Sequence, residues 1–348
     1  EDLQRYMTMA VQVEPEKPVL VDKFLENAVE VDVDAIADST GNVVIGGIME
    51  HIEQAGIHSG DSACTLPTTS LPPATLETIR DWTTRLAKAL NVVGLMDIQF
   101  AVVGAHGYMP QVYILEANPR ASRTVPFVSK AIGVPLAKLA SLIMSGKTLE
   151  ELGFTQEVLP RYIAVKEAVL PFDKFPGTDT LLGPEMRSTG EVMGIDTDFG
   201  KAFAKAELAA NQRLPLAGTV FVSMSDRDKQ AIVPVVKQLL ELGFNVVATD
   251  GTRRVLQEHG LKNVELVLKI HEGRPHIMDS IKNEKINLIL NTPSGEEAQS
   301  DGRLLRRTAL AYKIPVITTI AGAQATTAAI ARLQSERLEV KAIQEYIK

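Results

Sequence analysis

The apolar positions of this chain change period along its length, and the changes divide it. Ala28–Ala35 alternates, with Val29, Val31 and Val33 on one side and Glu30, Asp32 and Asp34 on the other, which predicts a strand with two unlike faces. Asn42–Gly46 reads as its hairpin partner across a turn at Ser39–Asn42. The acidic side reads as a solvated strand face, with a nucleotide-binding carboxylate at Glu30 the alternative. Ile48–Ser62 is polar, contains glycine and shows no period, so a long surface or active-site loop is expected there. Over 74–90, Leu76, Ile79, Trp82, Leu86 and Leu90 recur at helical spacing. A second hairpin is predicted from Met96–Val103 and Gln111–Glu116, ended at Asn118-Pro119-Arg120 because proline cannot donate to a ladder. A helix about Leu3–Val11, a strand into a turn over Val19–Leu25 and a helix over 135–145 belong to the same part. A polar segment at 146–160, irregular strands over 161–200 and a short helix over 201–210 complete it. Asn211–Pro215 has the composition of a boundary.

After Gly218 strands and helices alternate. Strands are predicted at 219–224, 244–248, 264–268, 286–290 and 315–318, with helices at 228–242, 252–259, 274–283, 302–312 and 322–333. This pattern describes an open, largely parallel α/β sheet covered on both faces, whose ligands sit at the C-terminal strand ends. The 348 residues suffice for two domains, and 45% apolar with 23% charged residues excludes disordered and collagen-like classes. No apolar run reaches 18 residues, so no membrane partner is expected. One cysteine, Cys64, cannot form an intrachain disulfide and fits a reducing compartment, the cytoplasm. The net charge of -7 divides into -10 over residues 1–217 and +3 over 218–348. An acidic first part argues against nucleic acid, and the basic second part suits small anions. The chain opens on Glu1 without a leader pattern, so a piece of a longer protein is expected.

Three groups of residues carry candidate chemistry. Glu116 and Asn118 are i,i+2 neighbours on one strand face, and Gln99 lies on the strand expected beside them. Three oxygen donors suit a hard cation such as Mg²⁺, with Arg120 and Arg123 placed to neutralise phosphoryl oxygens. The competing reading pairs Glu116 with Arg120 in a salt bridge. Gly56-Ile57-His58-Ser59 offers backbone N–H groups and an imidazole suited to a nucleotide, while Lys23, Leu25 and Glu30 could meet an adenine edge and ribose hydroxyls. In the second part Ser225 and Lys229, Thr249 and Thr252, Lys269, and Asn291 follow successive strands and converge on one sheet edge as an anion site. Caps and turns are the alternative there.

Long runs extend this picture: Gly46–Gly56, His58–Ser62, Leu115–Lys130, Leu182–Gly194 and Lys269–His276. Over its whole length the chain resembles the C-terminal third of the carbamoyl-phosphate synthase large-subunit family, of the bacterial or plastid type. The resemblance implies the C-terminal part of an ATP-grasp fold (1–145), an extension and linker (146–217) and a domain resembling methylglyoxal synthase (218–348). It implies a ligase making carbamoyl phosphate from bicarbonate, glutamine-derived ammonia and two ATP, for arginine and pyrimidine biosynthesis. This segment would serve carbamate phosphorylation and effector binding, without turnover on its own. The alternative is a nucleotide- or phosphate-binding regulatory module. By resemblance, Gln99, Glu116 and Asn118 hold two Mg²⁺ or Mn²⁺ ions, with K⁺ a further candidate. Lys23, Leu25, Glu30, Gly56, Ile57, His58, Ser59, Gln99 and Glu116 line the ATP pocket, and Arg120 and Arg123 act in catalysis. Ser225, Lys229, Thr249, Thr252, Lys269 and Asn291 bind nucleotide effectors, with ornithine another effector candidate. The implied partners are the small glutamine amidotransferase subunit, the rest of the large subunit and further copies of that heterodimer, in the cytoplasm or plastid stroma. Asp97 stands where the family has Asn, adding a negative charge beside the metals, and Pro293 stands where the bacterial pattern has Thr.

Overall fold

The computed structural model describes residues 28–347 except 106, 108, 176 and 293–295, and, before 28, residues 4, 7, 8, 18, 19, 21–23, 25 and 26; at 296–300 it describes the backbone alone. Most of the helix expected at Leu3–Val11 and the departure at Pro293 lie outside these residues, although Gln4, Met7 and Thr8 are helical. The described positions between Val19 and Leu25 are not in a strand. Both edges of the strand that follows are already occupied, which leaves this segment no ladder to join there.

The first unit runs β1 (Val29–Ala37), β2 (Val43–Gln54), β3 (Cys64–Leu66), α1 (Pro73–Ala89), β4 (Gly94–Val103) and β5 (Gln111–Asn118). It continues with α2 (Val125–Ile132), α3 (Leu136–Met144), β6 (Ile163–Val169), β7 (Gly190–Asp196) and α4 (Phe199–Ala209). The seven strands form one antiparallel sheet in the order β5-β4-β1-β2-β3-β6-β7. Ile48–Ser62 is therefore not one loop. β2 continues to Gln54 because Ile48, Met49 and Ile52 are buried on a strand paired at both edges, and a strand covered on both faces loses its alternation. Val31, Val33, Ile98, Phe100 and Val102 pack against Ile79 and its neighbours on α1. On the opposite face Ile36, Val44 and Leu95 lie under Val128, Leu136 and Ile143 of α2 and α3. Each such side chain removed from water contributes about 1.5–3 kcal/mol. Between these apolar ends the second face is polar, and there the site lies.

The second unit comprises β8 (Thr219–Met224), α5 (Val233–Glu241), β9 (Asn245–Ala248), α6 (Asp250–Glu258), β10 (Val264–Leu266) and α7 (Ile277–Lys282). β11 (Leu288–Thr292), α8 (Glu296–Ala311), β12 (Val316–Ile317), α9 (Ile320–Ser335) and α10 (Ile343–Tyr346) follow. Its strands are all parallel, ordered β10-β9-β8-β11-β12. Val220, Val222, Leu288 and Leu290 face α5 and α9, while Phe221 and Ile289 face α7 and α8. The units meet where α4 crosses α9. A Cβ on Gly200 would lie 2.7 Å from the Ala328 carbonyl oxygen, and Phe203, Ala325 and Ala329 share one core. Among the described residues no single helix is long and apolar enough to cross a membrane.

Candidate active site and effector edge

Register brings the acidic side chains of three strands onto one face. Asp32 of β1 lies opposite Gln99 of β4, which lies opposite Glu116 of β5. One rung on, Asp34 lies opposite Asp97, which lies opposite Asn118. An irregularity in the β4–β5 ladder pairs Phe100 with Ile114 and Gln99 with Glu116, leaving Leu115 unpaired. That extra residue moves Glu116 away from the side of Ile114 and onto the polar face. The Asn118 amide donates to Glu116 Oε1 at 2.7 Å and to Asp97 Oδ2 at 3.4 Å, and Gln99 Nε2 donates to Ser59 Oγ at 3.0 Å. Gln99, Glu116 and Asn118 thus stand together. Arg120 donates to the neighbouring Ala121 carbonyl, and no Glu116–Arg120 salt bridge forms among the described residues.

The strand face of Glu30, Asp32 and Asp34 is not solvated: these residues are 4%, 2% and 1% exposed. The segment entering α2 covers Asp34, which accepts hydrogen bonds from Ser122 Oγ at 2.6 Å and Thr124 Oγ1 at 2.8 Å. Burial nevertheless pushes the Asp34 carboxyl up to about 7, against the pull of those two hydroxyls. Asp97 is likewise pushed to about 7, first by burial and then by Asp32 and Asp34. Near neutrality the Asp97 carboxyl is then about half protonated, so the charge expected to be added there is only partly present. Asp97 Oδ1 is buried without a hydrogen-bond partner among the described residues, so it remains available to a cation or to a proton-bearing group.

Glu30, Asp32 and His51 form a second buried group whose ligand atoms lie within 4.8 Å of one another. His51 Nε2 is 3.2 Å from Asp32 and Nδ1 is 3.9 Å from Glu30. Burial works against a charged imidazole, but Asp32 and Glu30 outweigh it and hold His51 above its ordinary range. Burial raises Glu30, while His51 and the Gly56 N–H draw it back. The loop expected over Ile48–Ser62 hides this partnership, because it takes His51 off the strand that carries it beside β1.

A 3₁₀ turn at Ser59–Asp61 lies over the sheet. His58 Nδ1 accepts from Gly60 N at 3.0 Å, and His58 N donates to the Gly183 carbonyl at 2.8 Å. The Asp61 carboxylate accepts from the Arg187 and Ser188 amides, both at 2.8 Å. Lys166 of β6, wholly buried, donates to the Ser59 carbonyl at 3.1 Å and lies 3.9 Å from Glu191. Arg123 touches the sulfur of Met186 and faces Gly60 beside His58. Gly56, His58, Ser59, Arg123, Glu30 and Gln99 are thus drawn around one polar face, with Ile57 half-buried in the same loop. Lys23 is exposed and Leu25 half-buried, and neither makes a hydrogen bond to this face among the described residues. Lys166, Asp61 and Asp34 were not anticipated. A lysine between valine and glutamate in a strand of alanines and valines was the available signal for the first.

The second polar cluster lies at the C-terminal ends of β8, β9 and β11. Thr249 Oγ1 donates to Ser223 Oγ at 3.2 Å, and Thr252 Oγ1 accepts from the Met224 amide at 3.0 Å. Asn291 donates to the Ser223 carbonyl at 3.0 Å. Ser225 Oγ donates to Asp228 at 2.6 Å. A Cβ on Gly251 would meet Lys229 Nζ at 2.8 Å, which places that ammonium against the first turn of α6. Lys229 and Lys269 together hold the Asp226 carboxyl below its usual range, with the hydrogen bond from Lys229 the largest cause. Two lysines and a helix N-terminus over four hydroxyls and an amide suit a phosphate group.

The chain matches the family description "Carbamoyl-phosphate synthase L chain, ATP binding domain" over residues 1–152 and "MGS-like domain" over 231–318. It is 79% identical to the carbamoyl phosphate synthase large chain of Nostoc sp. over 99% of its own length and 31% of that protein. To the chloroplastic arginine-specific large chain of Oryza sativa it is 61% identical, covering 100% of this chain and 29% of the relative. It thus spans about a third of the length of the first curated relatives it matches. A solved biotin carboxylase domain from a thermophilic 2-oxoglutarate carboxylase superposes with a TM-score of 0.46 at 16% identity, over 59% of this chain and 51% of that one. The large chain of Methanosarcina barkeri is 50% identical over 100% of this chain and 86% of its own length. An ATP-grasp-type α+β unit followed by an MGS-like α/β unit, at this identity, makes the chain a member of the carbamoyl phosphate synthase large-chain family.

Proposed function

We propose that the first unit carries part of the site at which carbamate is phosphorylated by ATP, and that the second unit binds a phosphate-bearing effector. The observation that supports the first half most strongly is the pair of rungs that sets Gln99, Glu116 and Asn118 beside Asp97 on one face. All their donors are oxygens or amides, with no thiolate and no imidazole in the rungs, which fits Mg²⁺ or Mn²⁺ rather than zinc. When bound, such ions would supply positive charge to offset that of the nucleotide phosphates. Gln99, Glu116 and Asn118 would hold them.

The chain's own residues then position and stabilise. Gly56, Ile57, His58 and Ser59 present the loop to the nucleotide, and Lys166 holds that loop in place through the Ser59 carbonyl. A carbamate oxygen attacks the γ-phosphorus, the bond to the bridging oxygen breaks, and ADP leaves with that electron pair. Arg120 and Arg123 offset the negative charge on the transferring group. Most of the rate enhancement in such a reaction is positioning and charge stabilisation. Bicarbonate, ammonia and the first ATP would be handled by the remainder of the large chain with an amidotransferase subunit.

In the complete synthase, Glu116→Gln is expected to abolish both carbamoyl phosphate synthesis and ATP formation from carbamoyl phosphate and ADP. Bicarbonate-dependent ATP hydrolysis, which belongs to the other half, should survive. Retained ATP formation would reject the assignment. A binding-only module would bind ATP and show neither partial reaction in the wild type.

A further inference from the structure

An ion pair with a buried arginine joins α8 of the second unit to a segment of the first that contacts the nucleotide loop. Arg306 of α8 has a side chain 1% exposed, and its Nε and Nη2 donate to the two carboxylate oxygens of Asp179 at 2.7 and 2.8 Å. Two parallel bonds of this kind fix both groups in distance and orientation. Arg303 lies 3.5 Å from the same carboxylate.

From Asp179 the contacts run toward the first sheet. Its carboxylate accepts from the Leu181 amide at 3.1 Å and its carbonyl accepts from Arg187 Nη1 at 3.0 Å. Gly183 accepts from the His58 amide at 2.8 Å, and the Arg187 and Ser188 amides hold Asp61, each at 2.8 Å. Segment 179–188 therefore clamps the His58–Asp61 turn, and Gln99 reaches that turn through Ser59.

On the other side, Arg306 Nη1 and Asn291 Oδ1 are both buried and without a hydrogen-bond partner among the described residues. Both lie against Gly302, 2.8 and 3.7 Å from the place a Cβ would take. A free donor and a free acceptor thus flank Gly302 of α8 where it faces Asn291 at the end of β11, beside Ser223 and Thr249. Nothing in the ion pair itself needs Nη1 to be left over.

We infer that Arg306 is shared between the two sites: Asp179 holds one edge of its guanidinium, and a phosphate-bearing effector bound beside Asn291 acts on the other, so that effector occupancy alters the clamp on the nucleotide loop. This rests on the effector reading of the second unit. Arg306 and Asp179 are positioning residues here.

The test measures, in the complete synthase, the shift in apparent ATP affinity during carbamoyl phosphate synthesis caused by uridine or inosine monophosphate, in wild type, Asp179→Asn and Arg306→Lys. Calorimetry on the same proteins reports nucleotide binding directly, and hydrogen exchange over 57–62 reports the clamp. Wild type should show a shift of at least about five-fold, as coupling energies of the usual size produce. Asp179→Asn should keep the binding heat, lose most of the shift, and lose the effector-dependent change in exchange at 57–62. Arg306→Lys should behave alike, and where it fails to fold, Asp179→Asn decides. A full shift in Asp179→Asn with binding intact would overturn the inference alone. No heat with either nucleotide in wild type would overturn the effector reading and the inference with it.

Discussion

Burial decides which carboxyls of this chain are ionised. Asp34 and Asp97 face each other across a rung and are both driven to about 7 by loss of water and by mutual repulsion with Asp32. Alternation over Ala28–Ala35 showed that Glu30, Asp32 and Asp34 share a face, and it carried no information on what covers that face. The cover comes from residues far along the chain, Ser122 and Thr124, so the choice between a solvated and a buried face was not legible locally. A second acidic group lies under α4, where Glu207, close to Glu53 and Glu167, is pushed from 4.5 to about 8, by burial first and Glu53 second. The folded chain retains a proton there that the unfolded chain releases. This stabilising contribution is present below about pH 4.5 and is lost as pH rises through 8. Glu207→Gln should therefore flatten the fall in stability between those limits and raise the melting temperature at the alkaline end. Denaturant unfolding across that range checks it, and an unchanged slope would contradict it.

Alternation and helical spacing make β1 and α1 legible, and short apolar runs alternating with helical patterns make the five strands of the second sheet legible although both their faces are covered. In the first unit β2 and α2 are not legible in this way. β2 beyond Gly47 carries isoleucine, methionine, glutamate and histidine without alternation because both of its faces are covered, and α2 is eight residues long with a proline near its start. The register shift at Leu115, which aims Glu116, leaves no pattern in the sequence at all. The crossing of α4 and α9 is a further feature set by contact rather than by propensity. Gly200 lets the helices approach to backbone contact, and Arg332–Asp198 at 2.7 Å together with the Lys201–Glu336 pair flanks the crossing. Gly200→Val must force the helices apart, and overpacking of this kind costs about 1–3 kcal/mol. Trp82, the single tryptophan, lies in the first unit. Its fluorescence transition should separate from the loss of helical circular dichroism in that variant, while coincident transitions at the wild-type temperature would show that the crossing does not join the units.

At the scale of the whole molecule, the two sheets place their chemistry differently. The antiparallel sheet gathers polar side chains by register, from within β1 and β4 and from the end of β5, whereas the parallel sheet gathers them at strand ends, where successive βα turns converge. That second arrangement is visible in the sequence, because each candidate follows a predicted strand; of the first, the β4–β5 hairpin that sets Gln99 beside Glu116 is visible, whereas the pairing of β1 with β4 joins strands far apart in the chain. The acidic first unit and basic second unit meet at Asp179 and Arg306, so the charge division in the sequence has a local counterpart at their junction. The central claim is that Gln99, Glu116 and Asn118 hold divalent cations against nucleotide phosphates. Anomalous diffraction from crystals of the complete synthase grown with Mn²⁺ and ADP tests it most directly. Manganese peaks should lie among those three side chains and the phosphates, and Glu116→Gln should lose at least one of them. Ordered nucleotide with no manganese there, or manganese only at Glu30, Asp32 and His51, would contradict the account.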